Sequence, residues 1–259
     1  METLEERIYK VGLFAGVPVV DEDATVETVR SLVKGGVRGI ILPWNKRIWV
    51  ALDWIHTQFP NLLMGMQGPW LQASKTLNRG ISFIIGDIPE DVENPPCFKR
   101  DGNAIVCPKT QRILADCTNK IALVNDINNA DWDRIIRRAR AAVGEMLGFE
   151  LRHVGINNPD EQSADQVAGQ FDRFFGFRKD DKGGAFFAGP FIEAMKKPFY
   201  GQHGHIAIST HNTARAVWYL EQRGAVFNWD SAGYNEDGSL RVVYLKDEIG
   251  GFAVHILQK

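Results

Sequence analysis

The chain has 259 residues, 44% of them hydrophobic and 24% charged, with a net charge of -2, a composition that excludes disorder and predicts buried cores. Lys and Arg are scattered among acids, so no basic field for nucleic acid forms, and the length predicts two units of roughly 100 to 150 residues each. Met1 to Lys10 is charged and no later apolar run is long enough to cross a bilayer, which predicts a cytoplasmic protein with no membrane partner.

From the start, short apolar runs alternate with helical patterns. Val17 to Val20 reads as a strand, and Thr25 to Lys34 as a helix with Val26, Val29, Leu32 and Val33 on one face, ended by Gly35 and Gly36. The same rhythm continues through a strand at Val37 to Leu42, a helix at Trp49, Leu52 and Ile55, a strand at Leu62 to Met66, a helix at Leu71 to Asn78 and a strand at Ile81 to Ile85. Alternation of this kind predicts a parallel sheet with right-handed crossovers. After Asp87 it fails. Asn94, Pro95, Pro96 and the polar stretch Lys99 to Asn103 read as loop, with Ala104 to Cys107 and Ile121 to Val124 as further strands. Cys97, Cys107 and Cys117 form no C-x-x-C pair, so they read as buried, inert thiols rather than as a disulfide framework or a zinc site. Asp126 to Asp133 lacks the glycine and terminal Glu of a calcium loop and reads as helix capping. It leads into a helix at Asp131 to Leu147, with Ile135, Ile136, Ala139, Ala142, Val143 and Met146 on its apolar face and Gly148 as its C-terminal cap.

Val17 to Val20, Gly35-Gly36-Val37, Phe59-Pro60-Asn61-Leu62, Gly65 to Gly68 and Asp131 to Val143 resemble the 2-keto-3-deoxy-6-phosphogluconate aldolases. That family implies a (β/α) barrel with a Schiff-base lysine. The resemblance places Ile41 and Asn45 where the family carries a catalytic Glu and an Arg, and most of its later strands are missing. Lys109 and Lys120 are the lysines near the right region, and Lys120 precedes its apolar run rather than following a strand. Residues 1–148 therefore read as a truncated, barrel-like α/β domain with exposed strand edges, more structural than catalytic.

Residues 149–259 repeat themselves. His153-Val154-Gly155-Ile156-Asn157 parallels His205-Ile206-Ala207-Ile208-Ser209, and each is followed by a helical pattern. Later in each copy, Phe191-Ile192-Glu193-Ala194-Met195 parallels Ala253-Val254-His255-Ile256-Leu257. The pattern predicts paired βαβββ modules, an α+β domain after the α/β one. Strand alternation puts His153, Glu193, His205 and His255 each opposite an apolar face, so joined modules bring the four into one cleft. Three imidazoles and a carboxylate suit zinc, nickel, iron or manganese, with positions left open for a small-molecule substrate. His203 can line the cleft or substitute as a ligand, but its Gly-rich flanks favour a loop; His211 reads as a helix cap, and His56 has no assigned role.

This repeat is similar to the glyoxalase, bleomycin-resistance and extradiol dioxygenase superfamily, the vicinal oxygen chelate proteins. There the first strand of each module offers a His and the last an acidic ligand, so His255 departs from the pattern. The resemblance implies a metal-dependent lyase or isomerase acting on a 2-oxo or 2-hydroxy acid, with Glu193 as ligand or as base. A sequestering protein without turnover and a working aldolase are the alternatives. Paired modules and open barrel edges predict a homodimer.

Overall fold

The computed structural model describes residues 2–87, 89–92 and 95–259, so Asn94 of the expected loop lies outside the described residues. The chain divides into two compact units, Met1–Met146 and Leu147–Lys259. Among the described residues no helix is long and apolar enough to cross a membrane.

The first unit runs α1 (Leu4–Val11), β1 (Leu13–Gly16), α2 (Glu22–Lys34), β2 (Gly39–Pro43), α3 (Ile48–Gln58), β3 (Leu63–Gln67), α4 (Trp70–Ala73) with a 3-10 turn to Arg79, and β4 (Ile81–Ile85). It continues through β5 (Cys97–Asp101), β6 (Ala104–Val106), β7 (Ile113–Thr118), α5 (Val124–Asn128) and α6 (Trp132–Leu147). Strands β1 to β7 form a closed barrel rather than the open, truncated sheet that the sequence predicts. The closure is made by antiparallel pairing. β6 runs against both β5 and β7, and β7 then pairs in parallel with β1. A hairpin ribbon thus closes the barrel, and among the described residues it leaves no open edge of the kind that argued for a dimer.

Three further expectations are corrected. The first strand is Leu13–Gly16, not Val17 to Val20: the Val17 N–H still reaches the Ile41 carbonyl at 2.9 Å, but Pro18 has no N–H and ends the ladder. Lys99 to Asp101 belongs to β5, whose burial is confined to Cys97 and Phe98. Ile121 to Val124 is not a strand: Ile121 and Ala122 lie in a bend and Val124 begins α5, so Lys120 lies two residues beyond the C-terminal end of β7. Capping is partly borne out: the Asp131 carboxylate accepts from the Arg134 N–H, whereas buried Asp126 pairs with Arg134 at 3.2 Å and with Arg138. The three cysteines are buried and free.

Phe14 of β1, Phe83 of β4 and Phe98 of β5 meet edge to face, with centroids 5.5 and 5.6 Å apart. Strands β1 and β4 are not neighbours, so these rings fill the barrel interior. Glycine makes the room. Gly39 pairs with Phe14 and Gly65 with Phe83, and a Cβ at either position would stand 2.6 Å from the ring beside it.

The second unit comprises β8 (Glu150–Asn157), α7 (Glu161–Phe175), β9 (Lys179–Asp181), β10 (Ala185–Ala188) and β11 (Ile192–Met195). It repeats as β12 (Gly204–Thr210), α8 (Thr213–Glu221), β13 (Phe227–Tyr234), β14 (Leu240–Leu245) and β15 (Phe252–Gln258). One eight-stranded sheet results, in the order β13-β14-β15-β12-β8-β11-β10-β9. Its symmetry is that of the paired βαβββ modules: β11 lies parallel to β8, β15 lies parallel to β12, and antiparallel β8 and β12 join the copies. Helix α7 packs Ala164 and Ala168 on Phe186, Ala188 and Ala194. Alternation leaves Glu193 on the opposite face.

Gly65→Ala forces a methyl against Phe83 and Ile41 inside the barrel. Overpacking of this kind costs about 1–3 kcal/mol, read as a lower urea midpoint for the first unit with no change in the second.

Candidate metal centre

The sheet register brings the candidate residues together in two lateral rows. In one, Glu193 of β11 pairs with Gly155 of β8, which pairs with His205 of β12, which pairs with Ala253 of β15. In the other, His153 of β8 pairs with Ala207 of β12, which pairs with His255 of β15, which pairs with Tyr244 of β14. Since i and i+2 share a face, both rows lie on the same side of the sheet. Gly155 and Ala207 separate the polar residues within their rows, so the large side chains lean into the space above the small ones. At Gly155 there is no room for a side chain, since a Cβ would stand 2.1 Å from Cε1 of His205.

Three atoms converge. Nε2 of His153 lies 3.2 Å from Nε2 of His205, and each nitrogen is 3.1 Å from Oε2 of Glu193. An imidazole nitrogen offers one in-plane site, either an N–H or a lone pair. If both nitrogens carry protons, two donors face each other. If one does not, its lone pair faces the carboxylate. Hydrogen bonds therefore satisfy two edges of this triangle at most, whereas a cation accepts a lone pair from every corner. With bonds of roughly 2.1 Å to a metal, adjacent donors stand about 3.0 Å apart in an octahedron and about 3.4 Å in a tetrahedron. The observed edges fall between these values.

His255 completes the set, its ligand atom within 4.8 Å of those of His153 and His205. It is buried, and neither of its ring nitrogens has a hydrogen-bond partner; Nδ1 of buried His205 lacks one as well. Unpartnered buried imidazole nitrogens are costly, and coordination would relieve the cost at one nitrogen of His255.

The electrostatics suit ligation. Burial alone would raise the Glu193 carboxyl, but hydrogen bonds from His153 and His205 and their charge hold it down at about 2. Burial, with His205 and His153 beside it, pushes His255 down to about 3, so its ring is neutral at pH 7 and has a lone pair to give. The walls are aromatic: the Phe187 ring centroid lies 6.0 Å from that of His153 on one side, and Tyr244 stacks on His255 at 4.6 Å on the other. Burial and the Glu193 charge push the Tyr244 hydroxyl up to about 12.

The other histidines stand apart. His203 lies in the turn before β12, with its ring 5.6 Å from Phe252. His211 is not the helix cap, because the Asn212 side chain accepts from the Arg215 N–H while the His211 ring lies beside Gly148 and Lys259. His56 is exposed on α3. Sequence reasoning missed Tyr244 and the small spacers, because their positions follow from strand register and not from periodicity.

At the C-terminal ends of barrel strands β1, β2, β3 and β7 a cavity of about 320 Å³ is lined by Gly16, Ile41, Gln67, Asn119 and Leu123 among others. Its lining includes no lysine and no carboxylate. Asn45 is bound into the turn after β2, accepting from the Arg47 N–H.

No family model and no curated protein sequence matches the chain. Among solved structures, a KDPG aldolase from Legionella pneumophila, captured with pyruvate as a covalent carbinolamine, is 13% identical and has a TM-score of 0.45, covering 54% of this chain and 98% of its own. A hypothetical protein from Bacillus halodurans is 17% identical, with a TM-score of 0.32 and coverage of 43% and 94%. A methylmalonyl-CoA epimerase from Mycobacterium tuberculosis is 13% identical, with a TM-score of 0.30 and coverage of 44% and 89%. At this level of similarity, function has to be read from the chain's own residues.

Gly155→Ala is expected to drive the His205 ring off Glu193 while the sheet survives. In a crystal structure of the variant, Nε2 of His205 should stand well beyond 3.1 Å from the Glu193 carboxylate, and an unmoved ring would contradict the packing argument.

Proposed function

We propose that the second unit binds one divalent cation through His153, Glu193, His205 and His255, and uses it to hold a small 2-oxo or 2-hydroxy acid by neighbouring oxygens for a lyase or isomerase reaction. The observation that carries this reading is the triangle of His153, His205 and Glu193, which hydrogen bonds alone leave unsatisfied. Three nitrogens and one oxygen suit zinc, nickel, iron or manganese and leave up to two positions of an octahedron open. A bound cation would supply Lewis acidity toward a carbonyl or hydroxyl oxygen of the ligand. The chain itself contributes one carboxylate, so a divalent centre keeps a net positive charge that favours a monoanionic acid. The burial and aromatic walls restrict water. As a base, Glu193 would have to leave both imidazoles, so its position supports the ligand role first.

The barrel is read as non-catalytic. Lys120 follows β7, but it is exposed and does not line the cavity at the strand ends. Borohydride reduction in the presence of pyruvate should leave no adduct on Lys109 or Lys120, and a trapped adduct that disappears in Lys120→Met would restore the aldolase reading.

Protein prepared without a chelating tag should hold close to one equivalent of metal. His205→Ala is expected to lower that to below about a tenth with the fold retained, since a first bond to the ion is removed, and His211→Ala should leave it unchanged. Full metal in both His205→Ala and His255→Ala would refute ligation. One equivalent of metal without turnover of any 2-oxo or 2-hydroxy acid would favour the sequestering function.

A further inference from the structure

Metal-binding histidines are ordinarily held in plane by a hydrogen bond from the nitrogen that does not touch the metal. His255 has no such partner on either nitrogen. Its neighbours include His205, with ring centroids 5.3 Å apart and planes inclined by 66°, and His153, at 5.7 Å and 52°. Neither lies flat against it. Tyr244 does, at 4.6 Å and 21°.

We infer that Tyr244 is a positioning residue for His255, fixing the plane of the imidazole by ring stacking where a hydrogen bond would ordinarily do so. The inference rests on the metal reading above and adds a residue to it.

The backbone explains how Tyr244 is itself held. It pairs directly across the ladder with His255, and cross-strand partners on one face are within side-chain reach. On its other side the β13 ladder is interrupted between Asn228 and Gly233. There the Tyr244 N–H donates at 3.0 Å to the hydroxyl of Ser231, which donates in turn at 2.5 Å to the Asn228 carbonyl. An irregularity of this kind re-aims a strand locally. The Tyr200 ring, 40% exposed, tilts against Tyr244 with centroids 4.8 Å apart. Tyr244 is therefore gripped by its backbone and by a second ring, and it presents a flat face to an imidazole that no hydrogen bond orients.

The test is cobalt(II) titration of the full chain, followed by visible absorption, with far-UV circular dichroism as the check on folding. Tyr244→Leu and Tyr244→Val remove the flat face, and each is expected to weaken cobalt binding by about tenfold to a hundredfold and to alter the absorption bands. Tyr244→Phe and Tyr244→Trp keep the face and should stay within about threefold of the parent. Parent-like binding by both Leu and Val variants would overturn the assignment. So would a loss in Tyr244→Phe as large as in Tyr244→Leu, which would place the role in the hydroxyl, or unfolding of both the Leu and Val variants, which would make Tyr244 a structural residue. Failure of the unaltered chain to bind cobalt would instead refute the metal centre, and the inference with it.

Discussion

Three polar atoms held within 3.2 Å of one another are the constraint around which the second unit is built. Two imidazole nitrogens and a carboxylate oxygen cannot share hydrogen bonds along all three edges. Burial raises the cost of leaving an edge unmade. A sheet that forces them together is destabilised at that point, and the proposed cation would relieve that conflict.

The sheet imposes this by pairing large residues with small ones. Gly155 lies between Glu193 and His205, and Ala207 lies between His153 and His255. Larger residues at those two positions would push the imidazoles outward. The parallel pairs β8–β11 and β12–β15 set the first and last strands of each module side by side, and the antiparallel β8–β12 pair brings the two copies into register. The two copies of the module thus bring together four side chains that neither copy contains alone. In the barrel the same pairing of glycine with a large residue has another outcome, since Gly39 and Gly65 admit Phe14 and Phe83 and the interior is filled.

Much of this is legible in the sequence. The repeated His-x-x-x-Asn/Ser strands and the parallel of Glu193 with His255 single out the four residues, because a period of two determines which side chains share a face. Register is not legible. No pattern in the chain says that Gly155 sits opposite His205 or that Tyr244 sits opposite His255, and those pairings decide how the imidazoles are oriented. In the barrel, Ile81–Ile85 is plain from its apolar run, whereas β5 is hidden by the polar residues Lys99 to Asp101. Reading Val17 to Val20 as a strand weighs its valines above Pro18, which ends the ladder. The apolar Ile121 to Leu123 masks β7, whose Asp116 and Thr118 interrupt the hydrophobic signal.

The central claim is that these four side chains share one ion. X-ray absorption at the metal edge of the loaded protein tests it most directly, since imidazole rings leave a characteristic outer-shell signature. The account predicts three imidazoles and one carboxylate oxygen at roughly 2.0–2.2 Å. A shell of water oxygens alone, or one with sulfur in it, would contradict the account.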